Sequence, residues 1–218
     1  MKKYAVLSVD FELFEHSYTY QRLKTKPKLK VQEKVGIKKL LDLFEKNNVN
    51  STFFTVGNIA NKYPELLKLI VSKGHEIASH SMNHPIFSSL TLNEIENEIK
   101  DSKKTLEKIT NEKILGFRAP AFYINADIAK ILDALHYMYD SSIVPSLSIP
   151  KWYGIPKASI HPIEINMVFP EFNSNIMEVP IAINPIIRMP ISGAWMRLFG
   201  VHYTIDGDKN IYEDVVCK

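Results

Sequence analysis

His80-Ser81-Met82-Asn83-His84 puts two imidazoles four positions apart, and Asp10-Phe11-Glu12 puts two carboxylates one residue apart at the end of an apolar run. Imidazole nitrogen suits zinc and similar divalent ions. A carboxylate can complete a three-ligand set that leaves one coordination position for water. The second carboxylate can then take a proton from that water. These are the parts of a hydrolytic metal site. Neither spacing is specific alone, because H-x-x-x-H and D-x-E both recur by chance. Placement raises their value, since each follows a strand-like run in a chain that alternates strand and helix patterns. Arg118 and Asp140 follow two further runs of the same kind.

The elements that must hold these groups follow from periodicity. Tyr4 to Val9 reads as a short buried strand, followed by a polar, basic loop to about Lys34. Val35, Leu40, Leu41 and Phe44 recur at helical spacing up to Asn47-Asn48. Ser51 to Val56 is rich in β-formers and reads as a second strand. Pro64 suits a first helical turn, Leu66, Leu67 and Ile70 make an apolar stripe, and Gly74 stops it. A third strand, about His75 to Ser79, delivers the chain to His80. Thr91-Leu92-Asn93-Glu94 is a capping-box pattern ahead of Ile95, Ile99, Leu106 and Ile109. Ile114 to Phe117 is a fourth strand ending at Arg118. Asn125 can cap a helix through Leu135, and Tyr137 to Tyr139 is a fifth strand ending at Asp140. Residues 145–175 read as a proline-rich excursion or hairpin, Met177 to Val179 as a strand, and Trp195 to Phe199 as a short helix. Such alternation predicts an α/β fold, a parallel sheet with helices outside it, whose chemistry gathers at the C-terminal strand ends.

The bulk properties exclude several classes. At 218 residues, with 45% apolar and 23% charged residues, the chain reads as one domain spanning 1–218 with a substantial core. A formal net charge of +3 does not suit a nucleic-acid binder. The local basic run Arg22, Lys24, Lys26, Lys28 and Lys30 reads as a solvated loop, with an anion-attracting rim as the alternative. Cys217 is the single cysteine, so no internal disulfide forms. Met1-Lys2-Lys3-Tyr4 resembles a signal n-region, but the apolar run behind it ends at Asp10. No run approaches ~18 apolar residues, so no transmembrane segment is read, and a cytoplasmic location is the expectation.

Taken together, the motifs resemble the polysaccharide deacetylase family (NodB homology, carbohydrate esterase 4), in the subgroup whose first motif is S-V-D-x-[DE]. Ser8-Val9-Asp10-Phe11-Glu12 matches that motif, and Gly74-His75-Glu76-Ile77-Ala78-Ser79 leads into the matching His80-Ser81-Met82-Asn83-His84. Arg118-Ala119-Pro120-Ala121-Phe122 matches a third motif and Tyr139-Asp140-Ser141-Ser142 a fourth; the resemblance runs over residues 4–198. It implies a distorted (β/α) barrel and a divalent metal, most often zinc, held by Glu12, His80 and His84. Asp10 would be the general base, oriented and kept ionised by Arg118. The Ala121 N–H would help to stabilise an oxyanion, Phe122 would line a sugar pocket, and Asp140 would support a late histidine acting as general acid. The implied reaction removes an N-acetyl group from an amino sugar or its polymer.

One part of the pattern is not found. The family's late L-x-x-H strand should follow Gly193–Leu198, but there the chain has only Phe199-Gly200-Val201-His202. Either the chain is short of its final barrel strand, or His202 substitutes as general acid, or the acid comes from elsewhere. Two alternatives stand beside the main reading: a metal-independent hydrolase of another C–N bond, and an inactive sugar-binding homologue. His16, His75, His136 and His161 read as surface or satisfied core histidines.

Overall fold

Parallel strands need long crossovers, and the N-terminal half of the chain supplies them as helices. The computed structural model describes residues 6–16, 20, 23–25, 33–148, 154–171, 174–184 and 188–191. They fall into two compact units, residues 6–120 and the described residues from 121 onward.

In the first unit, strands β1 (Ser8–Phe11), β2 (Thr52–Thr55), β3 (Glu76–Ser79) and β4 (Gly116–Phe117) run parallel in that order. The register aligns Phe11 with Thr55, Thr55 with Ser79, and Ser79 with Phe117. The strand ends therefore form one rim. Phe53, Phe54, Ile77, Ala78 and Phe117 are all buried, the near-continuous apolar composition of a covered parallel sheet.

Helix α1 (Glu33–Lys46) joins β1 to β2, helices α2 (Gly57–Lys62) and α3 (Pro64–Ser72) join β2 to β3, and α4 (Leu92–Thr110) joins β3 to β4. Helix α3 starts on Pro64, buries Leu66, Leu67 and Ile70, and gives way to Gly74 at φ 80°. The capping box forms as expected. The Thr91 hydroxyl accepts the Glu94 N–H, and the Glu94 carboxylate accepts the Thr91 N–H at 2.8 Å. Ile95, Ile99 and Leu106 then face the core. The Ser79 hydroxyl donates to Ser102 Oγ at 2.9 Å, tying α4 to the end of β3. Helix α2 lacks an apolar stripe and was not expected from sequence. It forms where Ile59 and Ala60 are buried.

The second unit holds α5 (Ala126–Ala134), capped by Asn125, whose Oδ1 accepts the Ile128 N–H at 2.9 Å. Its strands are β5 (Tyr139–Asp140), β6 (Ile163–Glu164), β7 (Met177–Glu178), β8 (Ile183–Asn184) and β9 (Met189–Pro190). β5 and β7 are parallel, whereas β6, inside the proline-rich excursion, pairs antiparallel with β7 beyond it. The antiparallel β8–β9 pair was not foreseen. The α/β class with mostly parallel strands is as expected. The short helix read at Trp195 to Phe199 lies outside the described residues, as does the region where a last barrel strand was sought. Among the described residues, no helix is long and apolar enough to cross a membrane.

Candidate metal centre

Three of the four strands of the first unit bring a site group to the rim. Asp10 lies in β1 and Glu12 follows its end, while His80 follows β3 and Arg118 follows β4. Two hydrogen bonds extend the ladder past the strands: the His80 N–H to the Thr55 carbonyl and the Arg118 N–H to the Ser79 carbonyl, both 3.0 Å. Beyond His80 the chain turns sharply. Ser81 and His84 take left-handed backbone angles (φ 63° and 55°), which a non-glycine residue adopts only when its surroundings compensate. The Ser81 hydroxyl accepts the His84 N–H at 2.9 Å. The Gly57 and Asn58 N–H groups of α2 donate to the Ser81 and Met82 carbonyls at 3.0 and 2.9 Å. A Cβ on Gly57 would run into Met82 Sδ and crowd the Met82 backbone, so the two segments approach closely there.

The turn brings His84 back toward Glu12. One ligand atom each from Glu12, His80 and His84 lies within 4.8 Å of the others. Glu12 Oε2 is 2.8 Å from His84 Nε2 and 4.0 Å from His80 Nε2. Ligands about 2.0–2.1 Å from one tetrahedral ion stand about 3.3 Å apart, and the observed spacings bracket that value. The donor set also fits a cation on chemical grounds. His80 Nδ1 is 2.7 Å from the Arg118 carbonyl oxygen, which can only accept, so the ring proton sits on Nδ1. That leaves the Nε2 lone pair directed at the cluster, the arrangement metal-bound histidines favour. Burial pushes the His80 imidazole down to about 4, an effect that the Asp10 charge only partly offsets. The ring is therefore neutral at pH 7. Glu12 Oε2 is buried and makes no aligned hydrogen bond, despite its two imidazole neighbours. A buried carboxylate oxygen in that situation is costly unless a cation meets it.

Asp10 is held differently. Arg118 Nη1 donates to Asp10 Oδ1 at 2.6 Å and Nη2 to Ser8 Oγ at 3.1 Å, while the guanidinium lies 3.9 Å from the centre of the Phe54 ring. Burial alone would raise the Asp10 carboxyl, but the Arg118 charge, the fields of His80 and His84 and the Arg118 hydrogen bond outweigh it, so the group sits below 3.8. It is ionised at neutral pH and close enough to both histidines to feel them. Ser8 and Phe54 were not singled out from sequence, because a hydroxyl and a core aromatic carry no signal of their own.

The first unit thus brings Asp10, Glu12, His80, His84 and Arg118 together. His16 is half-buried beside them. Its ring stacks on His84 at 6.2 Å between centroids, and its Nδ1 accepts the Leu13 N–H at 3.1 Å. The helical turn Phe14–His16 folds it back onto the cluster. His75 does behave as a satisfied core group, its Nδ1 accepting the Ser51 N–H at 3.2 Å. Ala121, Phe122 and Asp140 fall in the second unit. Ala121 and Phe122 are half-buried with left-handed backbones (φ 52° and 57°). Asp140 is fully buried and accepts the Ser142 N–H at 3.0 Å and its hydroxyl at 2.7 Å. His202 lies outside the described residues.

An α/β protein with two histidines and a carboxylate converging at the strand ends, beside an arginine-held aspartate, defines a narrow class. Residues 34–139 match the family model described as Polysaccharide deacetylase. A peptidoglycan-N-acetylglucosamine deacetylase of Bacillus cereus is 40% identical over 91 residues, 42% of this chain and 42% of that protein. A chitooligosaccharide deacetylase of Sinorhizobium fredii is 28% identical over 107 residues, 46% of this chain and 50% of that protein. A solved structure from Mycobacterium smegmatis, assigned to the polysaccharide deacetylases, superposes with a TM-score of 0.58 at 26% identity, covering 69% of this chain and 46% of that one. A mutant of a CE4-family pseudoenzyme gives a TM-score of 0.50 at 24% identity over 62% of this chain and 43% of that one, which speaks to the fold alone. The resemblance read from the motifs is borne out: residues 34–139 match the polysaccharide deacetylase family, and the α/β fold is like that of its solved relatives. It spans half or less of the length of these curated relatives.

Proposed function

We propose that this protein is a metal-dependent hydrolase that removes N-acetyl groups from an amino sugar or its polymer. The observation that carries the reading is the convergence of Glu12, His80 and His84 within 4.8 Å, beside the Asp10–Arg118 pair. Those three residues would hold a divalent ion, with zinc the first choice for a nitrogen-rich set. When bound, such an ion supplies a Lewis acid and a water acidified toward pKa ~7. Asp10 takes the proton from the attacking water, and Arg118 keeps the carboxylate ionised and aimed. Because its proton affinity is low, Asp10 accepts that proton only transiently and can pass it on.

Ala121 as oxyanion donor, Phe122 as pocket wall, Asp140 as support and His202 as proton donor to the leaving amine belong to the same proposal. So does the treatment of residues 1–218 as one deacetylase domain. The two curated relatives are named for peptidoglycan N-acetylglucosamine and for chitooligosaccharides, which supports an N-acetylated glucosamine unit as substrate. A cytoplasmic location would go with a sugar precursor and an exterior one with finished polymer. Cell fractionation separates the two.

The test is acetate release from N-acetylglucosamine oligomers and peptidoglycan fragments. The wild type should release acetate and lose that activity on exhaustive chelation. Asp10→Asn should keep its metal and lose about 100- to 10,000-fold in rate. His80→Ala should lose both metal and activity. Full activity in both variants contradicts the assignment, and activity that survives chelation favours a metal-independent amidohydrolase.

A further inference from the structure

The strained turn that presents His84 has an anchor outside the motif. Glu98, half-buried on α4, directs one carboxylate oxygen at two successive backbone N–H groups of the turn, Met82 at 3.0 Å and Asn83 at 2.8 Å. Its other oxygen accepts from the Asn83 side-chain amide at 2.6 Å. The Asn83 carbonyl oxygen in turn accepts from Asn58 Nδ2, so the tip of the turn is clamped between α4 and α2. Glu98 lies fourteen residues beyond His84 in the chain and is not one of the three converging groups.

We infer that Glu98 is a positioning residue for the metal site, holding the His80–His84 turn in the conformation that aims His84 at Glu12. The inference rests on the proposed metal-binding role of these histidines. Consecutive peptide N–H groups of a turn converge on a single acceptor only in a curled backbone, so a carboxylate that receives both selects that curl over extended alternatives. Carboxylate acceptors make the stronger kind of hydrogen bond. The turn needs such help because Ser81 and His84, on either side of Met82 and Asn83, both carry positive φ. Release of the clamp leaves Ser81 Oγ and α2 to hold the turn alone, and His84 then spends part of its time away from Glu12. Partners that orient metal ligands typically contribute about 10- to 100-fold in metal affinity.

The experiment is zinc titration of the full chain by calorimetry, paired with amide hydrogen exchange at Met82 and Asn83. Glu98→Ala should weaken zinc binding about 10- to 100-fold and speed exchange at both amides. Glu98→Gln keeps a carbonyl oxygen for the two N–H groups, so it should bind and exchange much closer to wild type than to the alanine variant. Glu94→Ala removes the capping box of the same helix without touching the turn. It should lower the unfolding midpoint yet leave zinc affinity unchanged, which separates positioning from general stability. Equal zinc affinity in wild type and Glu98→Ala overturns this inference alone. A wild type that takes up no zinc overturns the metal reading, and the inference with it.

Discussion

Acidifying the metal-free protein from pH 7 to pH 4 should remove about 3 kcal/mol of stability through His80. The ring is 3% exposed and its folded-state value is pushed down to about 4, against an ordinary 6.5. Between those limits the unfolded chain takes up a proton that the folded imidazole refuses. The unfolded state therefore binds more protons, and stability rises with pH across the window. At about 1.4 kcal/mol per pH unit the gap comes to about 3 kcal/mol, present in full above 6.5 and gone near 4. Asp10 contributes with the same sign but lower down, below 3.8, so it stays outside the window. Urea unfolding in the presence of a chelator, repeated from pH 7.5 to pH 4, measures the effect. His80→Asn isolates it, since the other groups titrate in both proteins. The wild type should lose about 3 kcal/mol more than the variant over that range. Parallel curves for the two proteins would refute the reasoning, because they would mean that the folded ring titrates like a free one.

Three further outcomes follow from named contacts. Arg118→Met leaves the Asp10 carboxylate without its counter-charge. Breaking a buried pair costs about 3–5 kcal/mol, but Asp10 retains 30% exposure, so a loss of about 2 kcal/mol is expected in thermal or urea unfolding. The same change lets the Asp10 carboxyl rise, so the acid limb of the kcat/KM profile for acetate release should move to higher pH. Gly57→Ala drives a methyl against Met82 Sδ and should cost about 1–3 kcal/mol, with Met82→Ala in the same chain recovering much of it in a double-mutant unfolding cycle. Thr91→Ala removes the α4 cap and should cost about 1 kcal/mol, lowering Tm by about 2–4 °C without changing acetate release at room temperature.

Strands β2 and β4 were legible as short buried apolar runs, whereas the buried strand read at Tyr4 to Val9 forms instead at Ser8–Phe11, with Val6 and Leu7 exposed. The helix caps at Thr91 and Asn125 were legible for a local reason, since a side-chain oxygen three residues ahead of the N–H that donates to it leaves a pattern. Helix α2 left none. Gly57-Asn58-Ile59-Ala60-Asn61-Lys62 has poor helix formers and a single large apolar residue, and packing rather than propensity holds it. The β8–β9 pair has two residues per strand, too few for a period of two to show. At the site, the H-x-x-x-H and D-x-E spacings named the participants but not their geometry. Nothing in the spacing says that the turn after His80 curls left-handed, that Glu98 clamps it, or that His16 folds back onto His84. Those contacts depend on the tertiary meeting of α2, α4 and the turn, which sequence distance does not encode.

Anomalous diffraction from crystals soaked in zinc tests the central claim most directly. The account predicts one strong peak about 2.0–2.2 Å from Glu12 Oε2, His80 Nε2 and His84 Nε2, with a coordination position left open. A zinc-soaked crystal with no peak among those three atoms, or with its peak on other residues, would contradict it.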